Sequence, residues 1–278
     1  MKQIFSTILA LFFLFMSLPA AYAQYTAEEI AQRTYWENFL KTADIVRSED
    51  IGEGVTKPQR LYLRKGDVEA KAAWKNPSGG QGYALEGWQY EIAAYRLDKL
   101  ISLNMIPVAV EREFKGKRGA LSLWATVEYS LLKVEEQKIK WPAEANEQIN
   151  NMKYLTRAWD CLVANEDRTQ QNILYTKDWR TIIFDHSRAF RSTKEFTEKL
   201  MFGKNGLKKF SDGRLILFRR LPRSFVDKVK TLSYENIKEA VGPYLTDEEI
   251  NAILKRKPLL LAEVDEMIKE SGEDKVLY

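Results

Sequence analysis

Hydrophobic positions recur near helical spacing, three or four residues apart, in several stretches of the chain. This period places apolar side chains along one face of a helix. It predicts helices over residues 26–43, 86–103, 144–164, 221–231, 233–241 and 247–271. Thr26 followed by Glu29, and Thr246 followed by Glu249, are capping signals at the starts of the first and last of these helices.

Shorter apolar runs, rich in residues that favour extended backbone, predict strands. They cover residues 60–63, 68–75, 106–113, 120–129 and 181–184. A Gly-containing turn separates the first run from the second, and another separates the third from the fourth. The first four runs therefore predict a small antiparallel sheet, and residues 130–141 are the candidate hinge that follows it.

The order of these elements predicts an α+β fold with two lobes. The N-terminal lobe, residues 24–130, holds the sheet and one key helix, residues 86–103. The C-terminal lobe, residues 131–278, is mainly helical. Within it we expect a Lys- and Gly-rich loop at residues 202–214 and a frayed end at residues 272–278.

The start of the chain, residues 1–23, has the pattern of a secretory signal peptide. Lys2 precedes an apolar stretch at residues 4–18, and Ala21-Tyr22-Ala23 is a small-x-small cleavage signal. We expect cleavage before Gln24 and export to the periplasm or the extracellular space. The alternative is an uncleaved anchor, but the apolar stretch falls short of the ~20 residues needed to span a bilayer. No stable membrane span is therefore expected after cleavage.

Composition narrows the chemistry further. The chain has 278 residues, of which 45% are hydrophobic, which suffices for a sizeable core. Its formal charge of +4 falls to +3 without Lys2, too little to indicate a nucleic-acid partner. Cys161 is the only cysteine and His186 the only histidine, so internal disulfides and Cys/His metal sites are excluded. The oligomeric state is left open.

The most informative stretch is Asn165–Arg188, which contains two aspartates and an asparagine around a predicted hairpin. Asp167 precedes Asn172 by five positions, and the strand run at 181–184 leads directly into Asp185. Phosphoryl transfer needs one carboxylate beside the attacking hydroxyl and hard oxygen ligands for Mg²⁺. Asp167 fits the first role, and Asn172 with Asp185 fits the second. An ordinary polar turn is the alternative, because Asn and Asp are common turn residues.

Candidate nucleotide-binding residues lie earlier in the chain, before residue 165. Gly52 and Gly54 belong to a loop before the first predicted strand, where glycine allows backbone N–H groups to approach phosphates. Lys75 ends the second strand, and Glu91 lies near the centre of the helix that follows. A carboxylate at Glu91 could pair with Lys75, as the strand lysine and helix glutamate of protein kinases do. An ordinary loop and exposed surface charges are the alternatives.

With these residues in place, the chain resembles the atypical kinases that include the Golgi secretory-pathway kinases, the HipA toxin kinases and the phosphoinositide lipid kinases. The likeness to the secretory-pathway group lies in residues 91–99, Glu-Ile-Ala-Ala-Tyr-Arg-Leu-Asp-Lys, preceded by Trp74-Lys75. The Asp-Arg-His loop of these families corresponds to Asp167-Arg168-Thr169, and their Ile-Asp to Phe184-Asp185. The resemblance spans residues 51–190, about half of the chain.

The resemblance implies a two-lobed atypical protein-kinase-like fold that binds ATP, or another nucleoside triphosphate, with Mg²⁺ or Mn²⁺. It implies that Lys75 contacts the phosphates, that Glu91 positions Lys75 and that Asp167 is the catalytic base. It places the metal on Asn172 and Asp185. Two positions depart from the secretory-pathway pattern: Thr169 replaces the usual His, and Asn172 follows the HipA and lipid-kinase pattern.

These residues predict an exported kinase-like phosphotransferase that acts on a hydroxyl acceptor. The acceptor is a protein Ser/Thr or a small molecule such as a sugar, and the sequence does not choose between them. Arg188 and Arg191 either contact an anionic group or brace the loop by pairing with carboxylates. Because exported compartments are poor in ATP, the alternative is a kinase-fold nucleotide-binding or interaction protein without phosphotransfer, or with different nucleotidyl chemistry.

Overall fold

The computed structural model of the protein describes residues 25–52, 58–81 and 84–278. The predicted signal peptide, residues 1–23, and Gly54 lie outside the described residues. Within the described parts of the chain, no helix is long and apolar enough to cross a membrane.

The first half of the structure is built around a five-stranded antiparallel sheet with the strand order β1-β2-β3-β7-β6. In chain order its elements are α1 (Ala27–Ala31), α2 (Arg33–Thr42), β1 (Asp44–Asp50), β2 (Gln59–Lys65), β3 (Val68–Lys75), β4 (Ser78–Gln81), β5 (Ala84–Gly87), α3 (Gln89–Ile101), β6 (Ala109–Phe114) and β7 (Lys117–Leu123). Strands β4 and β5 form a separate hairpin between β3 and α3.

The two faces of this sheet carry different elements, because side chains alternate along each strand. One face includes Leu61, Trp74 and Leu121, and it packs towards α2. Arg112 of this face donates to the carbonyls of Leu40 (3.1 Å) and Ala43 (2.8 Å) at the end of α2. Lys75, next to Trp74 in the strand, points to the other face, and its side chain meets Glu91 of α3.

Two parts of this lobe were not predicted. Strand β1 is largely polar, Asp-Ile-Val-Arg-Ser-Glu-Asp, because it lies at the edge of the sheet and is mostly exposed. Gly52 follows the end of β1, which pairs with β2. The hairpin β4–β5 has a Gly-rich first strand that sequence patterns assign to a loop.

The second half is mainly helical. Its elements are β8 (Tyr129–Ser130), α4 (Leu131–Glu136), α5 (Asn146–Val163), β9 (Ile173–Tyr175), β10 (Thr181–Ile183), α6 (Lys194–Glu198), α7 (Arg223–Lys230), α8 (Tyr234–Val241), α9 (Asp247–Ser271) and α10 (Glu273–Val276). Strands β8, β9 and β10 form a small antiparallel sheet. Helix α4 lies within the candidate hinge, residues 130–141.

The chain end does not fray, contrary to expectation. Leu221 donates to the carbonyl of Val276 (2.8 Å), and Tyr278 donates back to the carbonyl of Leu221 (3.1 Å). Val276 and Leu277 are buried. Backbone hydrogen bonds to a distant segment and apolar burial therefore hold this end, and local composition carries no signal for either.

A buried arginine joins several segments of the C-terminal lobe. Arg256 of α9 is fully buried and donates to the carbonyls of Leu162 (2.8 Å), Arg191 (2.7 Å) and Phe196 (3.3 Å). Leu162 lies in the last turn of α5, where carbonyl groups lack partners within the helix. Arg256 thus fixes the end of α5, which leads into the predicted catalytic stretch.

The stability of the N-terminal lobe depends in part on Glu37 of α2, and we predict that this contribution is pH-dependent. Glu37 accepts hydrogen bonds from Lys99 (2.6 Å) and Tyr95 (2.7 Å) of α3. Burial alone would raise the pKa of Glu37, but these two donors lower it below its usual value. The stabilisation is therefore present above the pKa of an unfolded glutamate and is lost as the pH falls through the folded-state pKa.

We expect Glu37→Gln to lower the free energy of unfolding by about 1 kcal/mol at pH 7, and by much less at pH 3. Urea unfolding of both proteins at the two pH values measures this difference. Glu69→Gln, which removes an exposed partner of Arg64, is the control and should change little at either pH. A Glu37→Gln effect that is equal at pH 7 and pH 3 would contradict the assignment.

Candidate active site

Lys75 lies between two carboxylates at the junction of the lobes. Its Nζ is 2.9 Å from Oε1 of Glu91 and 3.0 Å from Oδ1 of Asp185. Strand β3 ends at Lys75, and Glu91 lies in the first turn of α3 and not near its centre, because the helix begins at Gln89. Burial would lower the pKa of Lys75, but Asp185 and Glu91 together raise it above its usual value. Lys75 therefore carries a positive charge, balanced by one residue of each lobe.

Asp185 follows β10 in an unusual backbone conformation. Its φ of 60° is in the left-handed region, which Asp tolerates better than most residues. The Oδ1 atom of Asp185 also accepts a hydrogen bond from Ser187 Oγ (3.2 Å). Burial raises the pKa of Asp185, but the charge of Lys75 outweighs it, so the pKa is lower than usual. The carboxylate is ionised and about one third exposed.

Backbone hydrogen bonds bring the other two predicted residues of the motif to the same place. Phe184 donates to the carbonyl of Asn172 (3.3 Å), so Asn172 lies beside the strand end that carries Asp185. Nδ2 of Asn172 donates to the carbonyl of Asp167 (3.2 Å), and the amide of Asp167 donates to Oδ1 of Asn165 (3.2 Å). The loop between α5 and β9 therefore lies beside the end of β10, and the two segments bring Asp167, Asn172 and Asp185 together.

Arg168 is the centre of this loop, and no role was predicted for it from the sequence. It binds both carboxylate oxygens of Asp160, at 3.0 and 3.1 Å. It also donates to the carbonyl of Phe184 (2.6 Å) and lies 2.9 Å from Nε2 of His186. One signal was available: Asp160 is a charged residue on the apolar stretch Trp159–Val163 of α5, and such a residue needs a buried partner.

His186 is fully buried next to Asp185 and acts as a hydrogen-bond acceptor. Its Nε2 receives Nε1–H of Trp159 (3.1 Å), and its backbone amide donates to Oε2 of Glu91 (3.2 Å). Burial lowers the pKa of His186 well below its usual value, and the charges of Arg168 and Lys75 lower it further. The imidazole is therefore neutral; it joins α5 to the loop that carries Asp167, and the backbone amide of the same residue adds a bond to α3.

Both arginines after Asp185 are engaged with carboxylates. Arg188 lies 2.5 Å from Oε1 of Glu86 and 3.6 Å from Oδ2 of Asp167. Arg191 is buried and pairs with Glu166. The bracing interpretation thus describes Arg191, whereas Arg188 also reaches towards the predicted base.

The environment of Asp167 suits a proton acceptor. Its side chain is 45% exposed, the most accessible of the predicted catalytic groups. Burial raises the pKa of Asp167; Arg188 opposes this, and the carboxylates of Asp185, Glu86 and Glu166 add to it. The net pKa is above the usual value for aspartate, which makes the carboxylate a stronger base than an isolated one.

The oxygen atoms of Asp185 and Asn172 fit Mg²⁺ or Mn²⁺, which take hard ligands and retain several waters. The side-chain nitrogen Nδ2 of Asn172 binds the carbonyl of Asp167. The side-chain oxygen Oδ1 of Asn172 is then left for a metal. Among the described residues, no group of three or more His, Cys, Asp or Glu could hold a metal ion. Mg²⁺ is commonly held by one or two carboxylates together with substrate phosphates and waters, so a site with few protein ligands fits this ion.

The glycine loop contributes one described residue. Gly52 has a φ of 74°, and its amide donates to Oδ1 of Asp50 (3.0 Å). Its N–H is thus engaged within the loop, so its predicted contact with phosphate requires this bond to open. Gly54 lies outside the described residues.

We predict that Asp160 is essential to the loop because it neutralises the nearly buried Arg168. Asp160→Asn should lower the free energy of unfolding by about 3–5 kcal/mol, the usual cost of leaving one member of a buried ion pair alone. Asp178→Asn removes an exposed partner of Arg180 and is expected to cost less than about 1 kcal/mol. Urea unfolding measures both. Similar small losses in the two variants would refute this role of Asp160.

Comparison with known proteins supports this arrangement at the level of fold. No protein-family model matches the chain, and no curated protein matches it in sequence. Its structure is similar to that of hydra Fam20 determined with sugar, with a TM-score of 0.60 and 15% identity. The alignment covers 91% of this chain and 94% of the hydra chain.

A second similar structure is the Helicobacter pylori proinflammatory kinase CtkA, with a TM-score of 0.53 and 11% identity over 84% of this chain and 98% of that chain. At this identity the likeness concerns the fold alone. It confirms the predicted α+β class and kinase-like fold: the chain has a fold similar to those of hydra Fam20 and of the kinase CtkA.

Proposed function

We propose that the protein is a kinase-like phosphotransferase that moves the γ-phosphate of ATP, or of another nucleoside triphosphate, to a hydroxyl acceptor. The observation that carries this proposal is the position of Lys75, within 3.0 Å of both Glu91 and Asp185. Phosphoryl transfer requires this lysine and a metal-binding aspartate to meet between the lobes. The kinase-like fold supports the same conclusion.

In the proposed reaction, the acceptor oxygen forms a bond to the γ-phosphorus while the bond from that phosphorus to the leaving oxygen of the nucleoside diphosphate breaks. Asp167 accepts the proton of the hydroxyl, and its raised pKa favours this step. Lys75 binds the nucleotide phosphates, and Glu91 holds Lys75 in place. Asn172 and Asp185 would hold Mg²⁺ or Mn²⁺, which when bound would supply positive charge to neutralise the phosphates.

The acceptor and the compartment are part of the proposal. A protein Ser/Thr and a small hydroxyl compound both remain candidates, and the sugar in the hydra Fam20 structure makes sugars a sensible first panel. The signal-like pattern of residues 1–23 supports export. We include no nucleic-acid partner, because the charge of the chain is low.

A nucleotide-binding protein without phosphotransfer is the second candidate. It is favoured by the exported location, where ATP is scarce, and by Gly52, whose amide is already bound to Asp50. The two candidates differ in transfer but share nucleotide binding, so separate measurements distinguish them.

We predict that residues 24–278 transfer label from γ-labelled ATP to themselves, to generic protein acceptors or to sugars in the presence of Mg²⁺ or Mn²⁺. Asp167→Asn and Asp185→Asn should each lower the rate by about 100-fold or more. Asp212→Asn, the same change at an exposed loop position, should leave the rate unchanged. Equal transfer by Asp167→Asn and the unsubstituted protein would exclude Asp167 as the base.

We also predict that a non-hydrolysable ATP analogue with Mg²⁺ raises the Tm, because a ligand of the folded state at a hundred times its Kd stabilises it by about 2.7 kcal/mol. Lys75→Met and Asp185→Asn should weaken binding of the metal–nucleotide complex, and Asp212→Asn should not. A Tm shift without transfer would favour the second candidate. No shift with any nucleotide would exclude both.

A further inference from the structure

Arg188 lies between two carboxylates that belong to different lobes. Its Nε and Nη2 atoms both lie 2.5 Å from Oε1 of Glu86, and its Nη1 lies 3.6 Å from Oδ2 of Asp167. One edge of the guanidinium is therefore occupied by Glu86. The other edge faces the proposed base at a distance longer than a hydrogen bond.

Glu86 is buried where it makes this contact. Its side chain is only 5% exposed, and it lies at the end of β5, shortly before the start of α3 at Gln89. The amide of the next residue, Gly87, donates to the carbonyl of Ser187 (2.9 Å). The hairpin β4–β5 is thus joined to the segment after Asp185 at two adjacent points.

The charges around Asp167 explain why this contact matters. Asp167 carries a carboxylate, and the guanidinium of Arg188 lies 3.6 Å from its Oδ2. Arginine favours a two-bond pair with a carboxylate. An unrestrained Arg188 would close on Asp167 and cover the carboxylate that must receive the acceptor proton. Instead, Nε and Nη2 of Arg188 both contact Oε1 of Glu86, and Asp167 stays 45% exposed.

We propose that Glu86 is a positioning residue for the acceptor side of the reaction. It holds Arg188 so that Nη1 can contact the transferred phosphoryl group while the carboxylate of Asp167 remains open to the acceptor hydroxyl. The inference rests on the proposed function and adds no step to it: the hydroxyl proton goes to Asp167, and Arg188 keeps its own protons. The N-terminal lobe then sets the geometry at both ends of the transfer, through Lys75 and through Glu86.

The test is a double-mutant cycle on Glu86→Gln and Arg188→Gln, with kcat, acceptor KM and nucleotide Kd measured for each variant. Glu86→Gln should lower kcat about 10- to 100-fold and change the nucleotide Kd less than about twofold, because the phosphates are bound by Lys75. The double variant should be no slower than Arg188→Gln alone, since Glu86 acts only through Arg188. Glu69→Gln, an exposed acidic residue of the same lobe, is the matched control.

Chemical rescue adds a measurement that a purely structural role would not affect. Guanidinium ion should restore part of the activity of Arg188→Ala, because Glu86 can still bind it. In the Glu86→Gln/Arg188→Ala variant, half-maximal rescue should need at least about tenfold more guanidinium. Glu86→Asp keeps the charge and replaces Glu86→Gln in the cycle if the latter lowers the urea midpoint.

Each outcome decides the question. Additive losses in the cycle, or rescue that is equal with and without Glu86, would overturn the role of Glu86 while leaving the phosphotransferase intact. Absence of transfer by the unsubstituted protein would overturn the proposed function and this inference with it. Non-additive losses together with weakened rescue would support both.

Discussion

The arrangement of the two lobes depends on one buried cation shared by two carboxylates. Lys75 of β3 lies 2.9 Å from Glu91 of α3 and 3.0 Å from Asp185 after β10. Removing such charges from water is costly, and a buried pair often contributes no more stability than apolar residues of the same volume. The three residues therefore fit the proposed phosphotransfer better than a purely stabilising role. A bound nucleotide could displace one carboxylate from Lys75 without leaving the lysine unpaired.

A second buried network, in the C-terminal lobe, positions the segment that carries Asp185. Asp160 and Arg168 form an ion pair inside the C-terminal lobe. Arg168 in turn binds the carbonyl of Phe184 and the ring of His186. Because His186 is neutral, it accepts hydrogen bonds without adding another buried positive charge beside Arg168 and Lys75. The loop with Asp167 and Asn172 is thus positioned by residues that do not themselves contact substrate in the proposed reaction. Catalytic groups held this way need little rearrangement during the reaction.

Much of the fold could be predicted from periodicity because most elements have one buried face. Helix α9 was predicted with its observed bounds, since its capping residues and apolar stripe agree. Strand β1 was missed because an edge strand has few buried side chains, and the hairpin β4–β5 because its first strand carries glycines. The C-terminal residues were expected to fray, but they bind Leu221, which is distant in sequence.

The sequence by itself determined the kinds of residues available for chemistry: Lys75, Glu91, Asp167, Asn172 and Asp185, in an order and spacing typical of kinases. It also determined the helical and strand periods that suffice for an α+β architecture. Only the tertiary structure decided which charges meet. Glu86 is 102 residues from Arg188, and Lys75 is comparably far along the chain from Asp185. Such pairs depend on how the lobes pack, because hydrophobic burial brings their backbones together and local sequence patterns carry no record of that distance.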